Sequence, residues 1–228
     1  MAKTKIRKDE IFSAPEDHYG FIFTLSAYLI EQQINEEIKE DLLNLKKLGT
    51  QIYSVTCDGH KSIMKAVSTV LPNSIIQRCV VHVKRQIKSY LGIKPQLPQA
   101  RELLYYSKQI TKIHTQEQAT AWLREVHDWY NKHEAFINQK SINDITGRSW
   151  YTHKHLHQAA THLINAIPYL FSYLSDEQIP KSTNQIEGYF AHLKEKLTLH
   201  RGLRLEAKKN FIKWYLHFKN QKKRNRFF

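Results

Sequence analysis

Read for its apolar and polar positions, the chain changes character near residue 92. Before that point, short β-branched and aromatic runs alternate with amphipathic stretches. Residues 19–30 (YGFIFTLSAYLI) form an unbroken apolar run that reads as a strand, although its continuity also permits a buried helix. Residues 33–48 predict a helix: Ile34, Ile38, Leu42 and Leu45 make one stripe, acids crowd the first half, Lys46 and Lys47 close it, and Gly49 fits its stop. Residues 52–56 predict a second strand, broken by Asp58-Gly59. Helical spacing returns over 61–71 through Ile63, Ala66, Val67 and Val70, until Pro72-Asn73 ends it. A short strand over 74–79 and a helix from Val80 to Leu91 complete this part. Two strands joined by a helix favour a parallel crossover, whose ligand sites lie beyond the carboxyl ends of its strands. Asp58 stands at such an end.

From Gly92 the pattern is almost wholly helical. GIKPQLPQ reads as a Pro-punctuated linker, and residues 99–110 carry Leu103, Leu104, Ser107 and Ile110 on one face. Thr115 and Gln118 suit a capping box for a helix running to about Asn138. Its Trp122, Trp129 and Phe136 form a stripe better suited to a core than to base stacking. SINDITGRS (141–149) reads as a loop and 152–166 as a helix, so residues 92–179 are expected to be an all-helical insertion. After Pro180, the N-cap types Ser182, Thr183 and Asn184 open a helix that turns Ile186, Phe190, Leu193 and Leu197 to a core. Glu187 falls in its first turn, where the helix dipole favours an ionised carboxylate, and Lys194 returns to nearly the same face. Gly202 ends this helix, and an amphipathic one follows over 205–218.

Charge narrows the partners. The 228 residues carry a net charge of +14, from 35 Lys+Arg against 21 Asp+Glu. Such an excess implies a polyanion, most often nucleic acid, although charge alone would also suit an anionic membrane surface. No apolar run approaches the roughly 18 residues of a membrane span, and no stretch reads as a secretory signal. Two cysteines, Cys57 and Cys79, give no disulfide framework and fit a reducing cytoplasm. Residues 1–18 are polar, contain Pro15 and show no sustained period.

Three short motifs occur in order: Asp58-Gly59-His60-Lys61, then Gln77-Arg78-Cys79-Val80-Val81-His82, then Ser182-Thr183-Asn184-Gln185-Ile186-Glu187-Gly188. Together they resemble the DDE transposases of Mutator-like bacterial insertion sequences, over about residues 20–218. Tyr151-Thr152-His153-Lys154 and His200-Arg201-Gly202-Leu203 add to the resemblance. It implies an α/β, helix-rich chain with a partial ribonuclease-H-like core and a large all-α insertion. The expected division is 1–91 for the first part of the core, 92–179 for the insertion, and 180–228 for the C-terminal core helices and basic tail. It also implies metal-dependent DNA cleavage and strand transfer at element ends, in a prokaryotic, cytoplasmic, nucleoid-associated setting. Double-stranded DNA, as transposon ends and target, is the expected partner, with a homo-oligomer in the DNA complex and no membrane.

On this mapping Asp58 and Glu187 are the second and third catalytic acids and metal ligands. Two Mg2+ (or Mn2+) ions about 4 Å apart activate the nucleophile and stabilise the leaving oxygen, and carboxylates are their hard ligands. No organic cofactor is expected. The first acid belongs on an opening strand for which the residues before 19 leave too little room, and Asp9, Glu10, Glu16 and Asp17 lie in no apolar run. The expectation is therefore a truncated catalytic domain lacking its first acid and nearly silent alone. Lys61, Arg78, Lys84, Arg85, Arg148, Lys154, Lys194, Arg201 and the 222–226 tail are the candidate phosphate contacts. Cys79, His82 and Asn184 are read as structural parts of the motifs. Zinc at Cys79-x-x-His82 is disfavoured because only Cys57 offers a second thiolate. His153, His155, His157 and His162 lack a carboxylate motif and read as facing solvent or phosphate. Two alternatives stay open: a catalytically inactive DNA-binding remnant, and a phosphotransferase with Asp58 as nucleophile. The second is disfavoured by His60, which stands where a further aspartate would help hold magnesium.

Overall fold

Hydrophobic periodicity broken by Gly and Pro becomes a run of short elements in the computed structural model, which describes residues 31–224. The strand expected over 19–30, the acids before it and the end of the basic tail lie outside the described residues. These residues form two units, 31–183 and 184–224, each described by itself.

In the first unit, helix α1 (Glu31–Lys47) packs on α2 (Lys61–Val70), burying Ile38 against Ala66. Strand β1 (Ser54–Cys57) pairs parallel with β2 (Ile75–Arg78), Ser54 opposite Ile75 and Cys57 opposite Arg78. α2 is their crossover, and Val67, Val70 and Leu71 pack against Val55 and Ile76. β2 runs directly into α3 (Val80–Leu91), whose Val80, Val83 and Ile87 are fully buried. Three contiguous apolar positions at helical spacing make α3 the bridge from sheet to helical block. It packs on α4 (Pro98–Gln109) and α6 (Lys154–Ala166). With α5 (Gln116–Ile137) they enclose a core of Leu103, Trp122, Val126, Trp129, Leu156 and Leu163. Thr115 caps α5 as expected, accepting from Gln118 N at 3.3 Å; the Gln118 side chain reaches back to His114 N rather than to Thr115 N.

The helical reading of the insertion needs one correction. Residues 141–149 are not a plain loop: β3 (Lys140–Ile142) and β4 (Ser149–Tyr151) form an antiparallel ribbon. Asn143 Oδ1 accepts from Ile145 N (3.0 Å) and Thr146 N (2.8 Å), and Gly147 takes φ +65°, so the side chain of one Asn folds the turn.

β2 gains no second strand partner among the described residues. Gln77 of this strand has no solvent exposure, and its side chain supplies the further ties. Its Nε2 donates to Leu170 O (2.8 Å) and Arg78 O (2.7 Å), and its Oε1 accepts from Tyr173 N (3.2 Å). A buried amide satisfied three ways ties the sheet to two short 3-10 turns (Ile167–Tyr169 and Ser172–Leu174) that follow α6. In the second unit α7 (Asn184–Leu199) and α8 (Leu205–Arg224) form a helical hairpin, with Leu193 and Ile212 buried. No described helix is long and apolar enough to cross a membrane.

Candidate functional site

The parallel ladder continues past Arg78, Cys79 N donating to Cys57 O at 2.7 Å, and then the two strands part. At that point β1 releases Asp58, which is exposed. Asp58 Oδ1 accepts from His60 N at 2.9 Å, so a local Asx turn fixes one oxygen of the carboxylate. Between them Gly59 sits at φ +85°, a conformation that costs an L-residue energy and glycine very little. A Cβ there would fall on the Arg78 guanidinium. The glycine of the motif therefore does two things: it makes the turn and leaves room for a buried cation.

Arg78 departs from the surface role expected of it. It is only 4% exposed, and its Nη2 donates to Asp58 O (3.3 Å) and lies 3.4 Å from His162 Nε2. Burial lowers the guanidinium from its ordinary pKa, while the charges of Cys57 and Asp58 oppose that fall. Burial, then the neighbouring Arg78, push His162 down to about 4, so a neutral imidazole faces the guanidinium. The cation supports the Asp58 loop from beneath and is removed from the candidate phosphate contacts. Burial raises the adjoining Cys57 thiol to about 11.

A second cluster ties down the chain leading to α7. Thr56 Oγ1 donates to Pro180 O (2.8 Å) and Val80 N to Lys181 O (3.1 Å). Thr183 N (3.4 Å) and Thr183 Oγ1 (3.5 Å) both reach Cys79 Sγ, and the same hydroxyl lies 3.4 Å from His82 Nδ1. Burial alone would push the Cys79 thiol up; hydrogen bonds from His82 and Thr183 outweigh it and bring the thiol down to about 7. The Cys-x-x-His motif thus serves as a clamp on residues 180–183. Among the described residues no group of three or more His, Cys, Asp or Glu could hold a metal ion.

The other sequence candidates fall as follows. Lys61, Arg85, Arg148 and Lys154 are exposed and Lys84 is half-buried in the first unit. In the second unit Asn184, Lys194 and Arg201 are exposed, and half-buried Glu187 lies in the first turn of α7. Asp58 and Glu187 thus belong to different units. Of the four histidines read as facing solvent or phosphate, His155 is exposed. His153 stacks on Phe136 at 3.9 Å, His157 on Tyr151 at 3.5 Å, and His162 meets Arg78. Sequence reasoning missed Gln77, the Arg78–His162 pair and the clamp from Thr183. The one readable signal was Gly59 directly after an Asp, which marks a backbone that must turn.

Comparison with known proteins gives one result that bears on identity. No curated protein and no solved structure matches the chain significantly. The family model described as "Transposase, Mutator family" matches residues 25–201, a span that holds β1, the Asp58 loop, the Cys79–His82 clamp, the helical block with its ribbon, and α7. With that match over more than half its length, the chain belongs to the Mutator family of transposases.

Proposed function

We propose that this chain carries the catalytic part of a DDE transposase, cutting DNA at the ends of an insertion element and joining them to a target. Asp58 and Glu187 are its carboxylate ligands. The observation that carries the reading is the Asp58 loop: an exposed carboxylate at the carboxyl end of a parallel strand, one oxygen fixed by His60 N, its backbone seated on a buried arginine. Glu187 supports it as a half-buried acid in the first turn of α7, four residues beyond the clamped Thr183.

Asp58, an exposed hard oxygen donor, suits magnesium or manganese, and Glu187 is the matching ligand from α7. When bound, two such ions supply charge stabilisation at the attacking and leaving oxygens. The chain's own residues set the geometry: His60 N orients Asp58, Gly59 and Arg78 fix the loop, and Cys79, His82 and Thr183 hold the approach to α7. In this reading the β1–α2–β2 crossover belongs to a ribonuclease-H-like core. The division is 1–91, 92–179 and 180–228, and Lys61, Lys84, Arg85, Arg148, Lys154, Lys194 and Arg201 engage phosphate along duplex DNA.

Mn2+ titration followed by electron paramagnetic resonance tests the ligand set on the full chain, Asp58→Asn and Glu187→Gln. A nicking assay on DNA bearing the element's own ends runs beside it. Both substitutions should weaken Mn2+ uptake and abolish any nicking. Identical uptake by all three chains would overturn the assignment. Salt-dependent DNA binding without metal uptake would leave the non-catalytic, DNA-binding alternative in its place.

A further inference from the structure

The β3–β4 ribbon shows solvent three large apolar side chains within nine residues: Ile142 is 64% exposed, Ile145 95% and Trp150 50%. None of them helps close the core beneath. The ribbon is nevertheless well fixed. Thr152 N donates to Gln139 O (2.9 Å) at its root, Tyr151 stacks on His157 and has Lys140 Nζ 5.4 Å from its ring centre, and His153 stacks on Phe136. Its tip is set by the Asn143 turn, with Asn143 N donating to Arg148 O at 2.9 Å. The register places Ser141 opposite Trp150, and the Asn143–Arg148 bond continues it, so Trp150 and Arg148, two residues apart, share one face. Asp144 is the only acid over 140–157, against Lys140, Arg148 and Lys154.

We propose that this ribbon is a wedge for DNA whose end is frayed or single-stranded: Trp150 stacks on an unpaired base, Arg148 beside it meets phosphate, and Ile145 enters between bases at the junction. The proposal rests on the reading of the chain as DNA-binding and adds the form of DNA it prefers. Several observations favour nucleic acid over a protein or lipid occupant. The surrounding charge is positive on a chain of net +14, a planar aromatic lies beside a guanidinium, and the aliphatic tip stands on a rigid turn. A rigid, two-stranded presentation also spares the ordering cost that a flexible loop would incur on binding.

The test compares the full chain with Trp150→Ala, Trp150→Phe, Ile145→Ser and Arg148→Ala by fluorescence anisotropy. The probes are a short fully paired duplex and the same duplex with a single-stranded flap, each carrying a fluorescent adenine analogue at the junction. The wild-type chain should favour the flapped duplex by about 10-fold, within the range of one base–aromatic stack. Trp150→Ala should lose that preference with its salt dependence unchanged, and Trp150→Phe should keep most of it. Ile145→Ser should abolish the rise in analogue fluorescence that reports unstacking. Arg148→Ala should lower the slope of log affinity against log salt by about 0.9. Because these side chains are exposed, thermal melting should be the same for all. Equal affinity of wild type and Trp150→Ala for the flapped duplex would overturn the wedge while leaving DNA binding intact. Unchanged DNA binding with an altered oligomeric state would overturn it in favour of an interface between copies. Failure of the wild-type chain to bind either duplex would remove the DNA-binding reading and the wedge with it.

Discussion

Replacing Gly59 by alanine should damage this protein far more than the loss of a surface glycine normally does. Two effects add. Gly59 sits at φ +85°, and holding an L-residue in such a conformation costs roughly 1–2 kcal/mol. The new Cβ also falls on the guanidinium of Arg78, which is 4% exposed and cannot simply swing into solvent. Displacing it removes the hydrogen bond to Asp58 O and the contact with His162. Hydrogen bonds to a charged group are worth about 1.5–3 kcal/mol each, so one lost bond brings the total to roughly 3–5 kcal/mol. At about 2–4 °C per kcal/mol for a domain of this size, melting should fall by roughly 6–20 °C. Gly49→Ala is the control: its φ is +80°, but nothing lies within 4 Å of the added Cβ, so it should show the backbone cost alone. Circular dichroism melts and urea titrations of the two variants measure the difference. Equal destabilisation would refute the claim that Arg78 is locked under the Asp58 loop.

Gln77→Leu should cost about 2–4 kcal/mol in urea unfolding, because it leaves Leu170 O and Tyr173 N without the partner that the buried amide supplied. A loss below about 1 kcal/mol would mean water replaces it easily. His162 has its folded pKa lowered to about 4 from 6.5, so the unfolded chain binds the extra proton first. Stability should therefore fall as pH drops from 6.5 towards 4, and His162→Gln should flatten that limb of a melting-temperature profile. Cys79 is held near 7 against an ordinary 9.0, so its contribution is fully present above 9 and lost as pH falls through 7. Cys79→Ser should remove a rise in stability between those values, and a wild-type profile that is flat there would contradict the clamp.

Much of the crossover was legible because its punctuation is strong. Gly59, Pro72 and Gly92 mark breaks that the structure keeps, and α3 begins and ends where its apolar period does. The exposed acid at the end of β1 followed from the same reasoning. The ribbon was hidden because each of its strands has three residues, too short for alternation to show against a turn-rich background. Arg78 was misread because charge predicts surface, and only its neighbour in space, Gly59, nineteen residues before it in sequence, reveals the pocket that holds it. The clamp could not be read at all: Thr183 meets Cys79 across 104 residues, and no local pattern encodes such a meeting. Gln77 looked like an ordinary polar position in a short strand, and its burial depends on turns 93 and 96 residues later.

The bond from Thr56 to Pro180 spans 124 residues of sequence, and it fixes the order in which the molecule can be assembled. On a ribosome adding about 5–20 residues per second, the interval between the two partners is on the order of 6–25 s. During that time β1, and then β2 and α3 as they emerge, lack the segment that ties off the carboxyl ends of the strands. The helical block shares its core with α3, which precedes it in the sequence, so the two can condense together before that segment arrives. The acid-bearing end of the sheet is therefore finished last, after the segment that follows the block has emerged. A nascent chain paused after Leu174 but before Pro180 has emerged would display a formed helical block beside an unfinished Asp58 loop.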